Sequence, residues 1–237
     1  VIRSNDYFAL VRFYARDNEA CEEWSELYVS LLEELKYVID KKSIPFYFSN
    51  LCKALKVMTR KCKIHTNLIK LLTEVKNAFY PCIDSHLAEF FTKAFAGILT
   101  SNIKELSQLI PICTDDYTLN EALMNALCTA ARANPEVFKI EEVYNDIQRE
   151  TQAILEDLDL WDSDGMTLFY AIFTTLIRID VVTGRFNQSK SDAFEGHLRD
   201  LNINEEFENY KELVLRDLYC YELWFSPLIE ETKNLAY

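Results

Sequence analysis

Apolar side chains recur every three to four positions along almost the whole chain, and helix-breaking residues fall between the periodic stretches. The pattern predicts nine helices, at about 5–17, 20–39, 45–78, 84–109, 116–133, 135–158, 164–182, 188–201 and 204–224. Local chemistry marks several of their ends. Asn134-Pro135-Glu136 offers a capping amide, a proline at the first helical position and an acid in the first turn. Thr114-Asp115-Asp116 and Asn204-Glu205-Glu206 open two further helices in the same way. Leu109-Ile110-Pro111 is expected to end the fourth helix, because a residue before proline avoids the α region. No Gly/Ser-rich linker divides the chain, so the expectation is an all-α fold, one antiparallel array of helices over residues 1–237. Trp24, Trp161, Trp224 and the run Leu168–Phe173 read as core packing.

The third predicted helix departs from the ordinary amphipathic pattern. Between Lys41 and Thr73 the chain carries eight lysines and arginines and no carboxylate. Lys53, Lys56, Arg60 and Lys63 share an arc of roughly 80° on one helix face. Phe48, Leu51, Leu55, Met58 and Cys62 occupy a neighbouring arc, which gives the helix a side to bury. Many charge runs are only solvated faces. This one sits in a chain of formal net charge −13, where a cationic stripe suits a compact anion better than a long polyanion.

With 38 acids against 25 bases the composition argues against nucleic acid as a partner, since phosphate-backbone binding needs a basic surface. The pattern predicts no membrane-spanning helix. Seven scattered cysteines, an odd number, point to a reducing compartment rather than a disulfide framework, so a cytoplasmic protein is expected.

Motifs for chemistry are weak. Cys62-x2-His65 and Cys82-x3-His86 have the residue types of zinc ligands, but buried thiols and surface histidines explain them more simply, and no metal is expected. Asp115-Asp116 and Asn145-Asp146 hint at a helical diphosphate enzyme that binds magnesium. Leu119, Arg149 and Ala153 then stand where its motifs require an acid, a hydroxyl and a glutamate. Three histidines, none beside a nucleophile elbow, give no triad, and there is no phosphate-binding glycine loop. The chain therefore reads as a non-enzyme without a cofactor.

Five segments, in order along the chain, resemble the 14-3-3 family of phosphopeptide-binding adaptors. They are ARDNEACEEW at 15–24, FSNLCKALKVMTRK at 48–61, Leu109-Ile110-Pro111, EEVYNDI at 141–147 and LRDLNINEEFENYKELVLRDLYCYELWF at 198–225. The resemblance implies nine antiparallel helices around a concave groove and binding of phosphoserine or phosphothreonine peptides. It puts the family's phosphate-binding Lys and Arg on Lys53 and Arg60, brings Arg132 to the same phosphate, and places Leu213, Cys220 and Trp224 along the peptide. It also implies a homodimer or a heterodimer with similar chains.

The departures are specific. Ala133 stands where the family has the pocket Tyr, Ala171 and Cys220 replace its two backbone-holding Asn residues, and Arg178 replaces a Glu. At the dimer positions, Ala20 faces Lys93 and Glu23 faces Glu89, so charge complementarity is lost. Residues 225–237 form a tail without the family's acidic run, and it contains Ser226-Pro227. These changes favour an altered peptide clamp. They also keep open a second reading, a helical interaction scaffold that binds partners without phosphate.

Overall fold

A computed structural model of the chain describes residues 6–11, 22–62, 66–81, 83–113, 116–156, 158, 162–201, 203, 205 and 208–224. Among these there are only helices, turns and irregular backbone. The helical segments are α1 (6–11), α2 (Glu22–Lys41), α3 (Phe48–Cys62), α4 (Thr66–Phe79), α5 (Ser85–Ser101), α6 (Leu106–Cys113) and α7 (Tyr117–Ala133). They continue as α8 (Pro135–Phe138), α9 (Glu141–Glu156), α10 (Ser163–Thr183), α11 (Gln188–Asp200) and α12 (Glu208–Trp224), with a 3-10 turn at Ile103–Glu105.

The all-α expectation holds, and the expected count of nine gives way to a finer division. Where one helix over about 45–78 is predicted, α3 and α4 stand instead. They have different neighbours, since α3 packs on α2 and α5 while α4 packs on α2 and α6. The predicted 84–109 helix stops at Ser101. Asn102 leaves the helical region (φ −151°, ψ 101°), its side-chain oxygen accepts from Lys104 N, and its amide donates to Glu105 Oε1 at 3.1 Å. That pair is a capping arrangement for the next turn. Pro111 lies inside α6 instead of ending a helix. Leu109, Ile112 and Cys113 are buried around it, so packing of α6 on α4 and α7 outweighs the lost backbone bond. The predicted 135–158 helix divides into α8 and α9 at Lys139–Ile140.

Two other expected helix starts are present, one of them with its cap. Asp116 accepts from Leu119 N at 3.0 Å and Pro135 is the first residue of α8. The cap at Asn204 lies outside the described residues.

The chain groups into two compact units, Val1–Asn134 and Pro135–Tyr237. In the first, α5 is the central helix, flanked by α3 and α7. Phe90, Phe91 and Phe95 of α5 meet a core that includes Leu51, Leu55 and Met58 of α3 and Leu119, Leu123 and Leu127 of α7, all buried. Each such side chain contributes about 1.5–3 kcal/mol when removed from water. Close approach of α3 to α5 depends on Gly97. A Cβ there would sit 3.1 Å from the Lys56 carbonyl oxygen and 3.3 Å from Thr59 Cβ.

In the second unit, α10 is the core helix. Met166, Phe169, Phe173 and Ile177 of α10 pack with Leu198 of α11 and Val214, Leu215 and Leu218 of α12. Leu168–Phe173 is therefore core, as expected, whereas Trp161 and the side chains of Trp24 and Trp224 lie outside the described residues. α10 corrects one expectation, because its 21 residues, with a mean hydropathy of 1.5 over the best window, are long and apolar enough to cross a bilayer. Two thirds of that window is buried within the protein, as a central core helix requires.

Candidate functional site

The predicted phosphate residues fall in the first unit. Lys53 is half-buried on α3, and Arg132 is exposed in the last turn of α7. Both helices pack on α5. Arg60 is helical and lies two turns beyond Lys53 on the same face, about 10 Å along the axis. Its side chain is outside the described residues, as are Lys63 and His65. Lys53 and Arg132 make no ion pair or hydrogen bond among the described residues.

The surroundings of Lys53 are not those of the linear sequence. An acid-free stretch of chain acquires a carboxylate from α5. Glu89 is held below the usual carboxylate range, first by its hydrogen bond from Lys93 and then by nearby charges including Lys53 and His86. Lys93 and Glu89 form an i,i+4 ion pair, so the residues matched to the family's dimer positions satisfy each other within one helix. A small pocket of about 260 Å³ opens beside them, lined by Phe46, Phe48, Cys52, His86 and Phe90 among others. Burial pushes the Cys52 thiol well above its ordinary range, so it is inert as a nucleophile. Among the described residues no three His, Cys, Asp or Glu side chains cluster as a metal site would require. Cys82 and His65 of the zinc-like pairs lie outside them.

The remaining predicted residues belong to the second unit. Leu213 is half-buried and Cys220 exposed, two turns apart on α12, and Trp224 is the last residue of that helix. Ala171 is half-buried on α10.

A second constellation in this unit has no counterpart among the predicted residues. α10 ends at Gly184, whose positive φ of 72° lets its N–H bond back to Asp180 O and Val181 O. That turn presents Arg185 to the junction of α8 and α9. Its guanidinium donates to Phe138 O (3.0 Å), Lys139 O (2.8 Å) and Glu141 Oε2 (3.0 Å), and lies 4.2 Å from the Tyr144 ring centre. The helix break at Lys139–Ile140 thus has a partner for the carbonyls it releases.

Below this cap, Asp180 is buried. Tyr144 donates to Asp180 Oδ1 at 2.5 Å, and Lys190 Nζ donates to Asp180 Oδ1 (2.9 Å), Asp180 Oδ2 (3.0 Å) and the Tyr144 hydroxyl (2.6 Å). Gln148 donates to the same hydroxyl at 2.9 Å, which completes its hydrogen-bonding capacity. Burial, then the bond to Asp180, raises the Tyr144 pKa above its ordinary value.

The network forms one end of a cleft of about 550 Å³ between α9, α10 and α11. The sequence signal for it was a lone carboxylate, Asp180, in the apolar run of α10. Its partners, 36 residues before and 10 after, follow no local spacing rule.

No family model matches the chain, and no curated protein or solved structure is significantly similar to it.

Proposed function

We propose that the protein is a phosphopeptide-binding adaptor of the 14-3-3 type, with Lys53, Arg60 and Arg132 as the phosphate ligands. The observation that carries this reading is that Lys53 and Arg132 make no ion pair among the described residues of a strongly acidic chain. Lys93, Lys139, Arg149, Arg185, Lys190 and Arg199, by contrast, are matched with carboxylates. Two cations without an ion pair among the described residues, on helices that share α5 as their support, suit a ligand that brings its own negative charge. A phosphorylated serine or threonine carries about −1.5 to −2 charge at pH 7 and three strong acceptors. Arginine meets those acceptors bidentately and lysine as a point charge. The acidic remainder of the surface disfavours long polyanions. Its partners would be phosphorylated cytoplasmic proteins, with the adaptor acting as a homodimer or heterodimer.

A second reading, a scaffold that binds partners without phosphate, is favoured by Glu89. Its carboxylate lies close enough to Lys53 to feel its charge, which weakens the attraction of Lys53 for a dianion. Fluorescence polarisation with a phosphopeptide and its plain twin separates the two. The adaptor requires tighter binding of the phosphorylated form and loss of that preference in Arg60→Ala and Arg132→Ala. Equal binding of both peptides supports the scaffold.

A further inference from the structure

We propose that the cleft of the second unit binds an uncharged small molecule with an aromatic or aliphatic body. This site is independent of the phosphopeptide reading. Its volume of about 550 Å³ lies within the roughly 300–1,000 Å³ typical of small-molecule sites. The lining is graded along α10. Gln148, Asp180 and Lys190 lie at one end, and Leu155, Phe173 and His197 at the other. Leu155 and Phe194 are only partly covered where they pack on the core of this unit, and Leu176 is half-buried beside them. The His197 ring stacks on Phe173, with centroids 5.7 Å apart and planes at 20°. These side chains leave apolar surface that a ligand body of about 10 Å, two helical turns, removes from water.

The charges of the lining are already spent on one another or on neighbours. An ammonium has three protons, and Lys190 donates to Asp180 Oδ1 (2.9 Å), Asp180 Oδ2 (3.0 Å) and the Tyr144 hydroxyl (2.6 Å). Asp180 is 2% exposed behind it. Arg149 pairs with Asp146 at 3.0 Å and Glu150 at 3.1 Å. An anion entering the cleft competes with acids already in place. A cation finds the one lining carboxylate buried and bonded. An ion of either sign therefore gives up hydration without gaining a counter-ion, whereas an uncharged body gives up little.

The hydrogen-bonding groups that remain are neutral. Gln148 spends one amide N–H on the Tyr144 hydroxyl at 2.9 Å, and Gln152, one turn on, spends one on Glu156 at 3.1 Å. Both partners can only accept, because the Tyr144 proton goes to Asp180, and this fixes which amide atom faces them. Each glutamine's carbonyl oxygen and second N–H make no further bond among the described residues. An amide or hydroxyl on the ligand matches them.

Protein-observed NMR titration of the full chain at pH 8, above the ordinary histidine range, tests this with 4-phenylbutanamide, 4-phenylbutyrate and 4-phenylbutylamine. The three share one body and differ in head-group charge. The amide is expected to give saturable shifts at cleft residues of α9, α10 and α11, and each ion to bind at least tenfold more weakly. Ala193→Trp, on the exposed rim, should fill the cleft and weaken the amide at least tenfold, with circular dichroism confirming the fold. Ala193→Lys adds a cation with no acid three or four residues away on α11, and should bring the acid at least to parity with the amide. The proposal is overturned if the amide shows no saturable shifts in the cleft or if either ion binds the parent as tightly as the amide does. It is equally overturned if a folded Ala193→Trp binds the amide as the parent does, or if Ala193→Lys leaves the preference for the amide unchanged.

Discussion

Two sets of basic side chains, one in each unit, are used in opposite ways. In the first, Lys53 and Arg132 make no ion pair among the described residues, on helices whose apolar faces are spent on α5. In the second, Lys190 and Arg185 are held by Asp180, Tyr144, Glu141 and two backbone carbonyls. The chain shows the reverse impression, since the crowded cationic stretch is at 41–73 and the second unit's bases are scattered among acids. Crowding along the sequence therefore does not tell which charges are committed. A cation is available to a ligand when the fold leaves it unmatched, and structural when a buried acid depends on it.

The largest expected effect comes from breaking the committed set. Lys190→Met leaves the buried Asp180 with the Tyr144 hydroxyl but no cation, and should cost about 3–5 kcal/mol in urea unfolding. Lys53→Met, on the uncommitted side, should change stability by less than about 0.5 kcal/mol. Similar losses in the two variants would erase the contrast. Next, Arg60→Ala or Arg132→Ala should lower phosphopeptide affinity by roughly 10–150-fold, the worth of a charged hydrogen bond of about 1.5–3 kcal/mol, with the melting temperature unchanged. Gly97→Val pushes side-chain atoms against the Lys56 backbone and should destabilise by about 1–3 kcal/mol, read from denaturant midpoints.

A smaller effect concerns alkaline pH. The Tyr144 hydroxyl is held above its ordinary value by burial and by Asp180, so the unfolded chain loses this proton first as pH rises. Its stabilisation is whole below a pH of about 10 and shrinks above it. Tyr144→Phe should therefore fall less steeply than the parent between pH 9 and 11 in urea midpoints, by about 1 kcal/mol. The smallest effect is at Glu89, whose pKa is depressed by Lys93. Its contribution is present above the ordinary carboxylate range and is lost as pH falls through the folded value. The glutamate is half exposed, so Lys93→Met should cost only about 0.3–0.5 kcal/mol at neutral pH, and less in acid.

Much of the fold was legible because its signals are local. The 3.6-residue apolar period located α10, α11 and α12 to within a few residues, and Asp116 and Pro135 marked true starts. The breaks were harder to read. Asn102, followed three residues later by Glu105, carries a capping signature, but it lies inside an unbroken apolar period. Pro111 misled in the other direction, because burial of Ile112 and Cys113 kept the helix going past it. At Lys139–Ile140 the break is supported by Arg185, 46 residues away from Lys139, and nothing local announces it. The same limit applies to the sites. Lys53 and Arg60 share a helix face that spacing reveals. Glu89 beside Lys53, and Lys190 on Asp180, are pairings across helices that only packing creates.

The claim that the uncommitted cations of the first unit bind phosphate is tested most directly by one titration of the unmodified protein. A phosphoserine peptide and its unphosphorylated twin are compared by fluorescence polarisation in the same buffer. The account predicts at least tenfold tighter binding of the phosphorylated form. Equal affinity for the two peptides would contradict it.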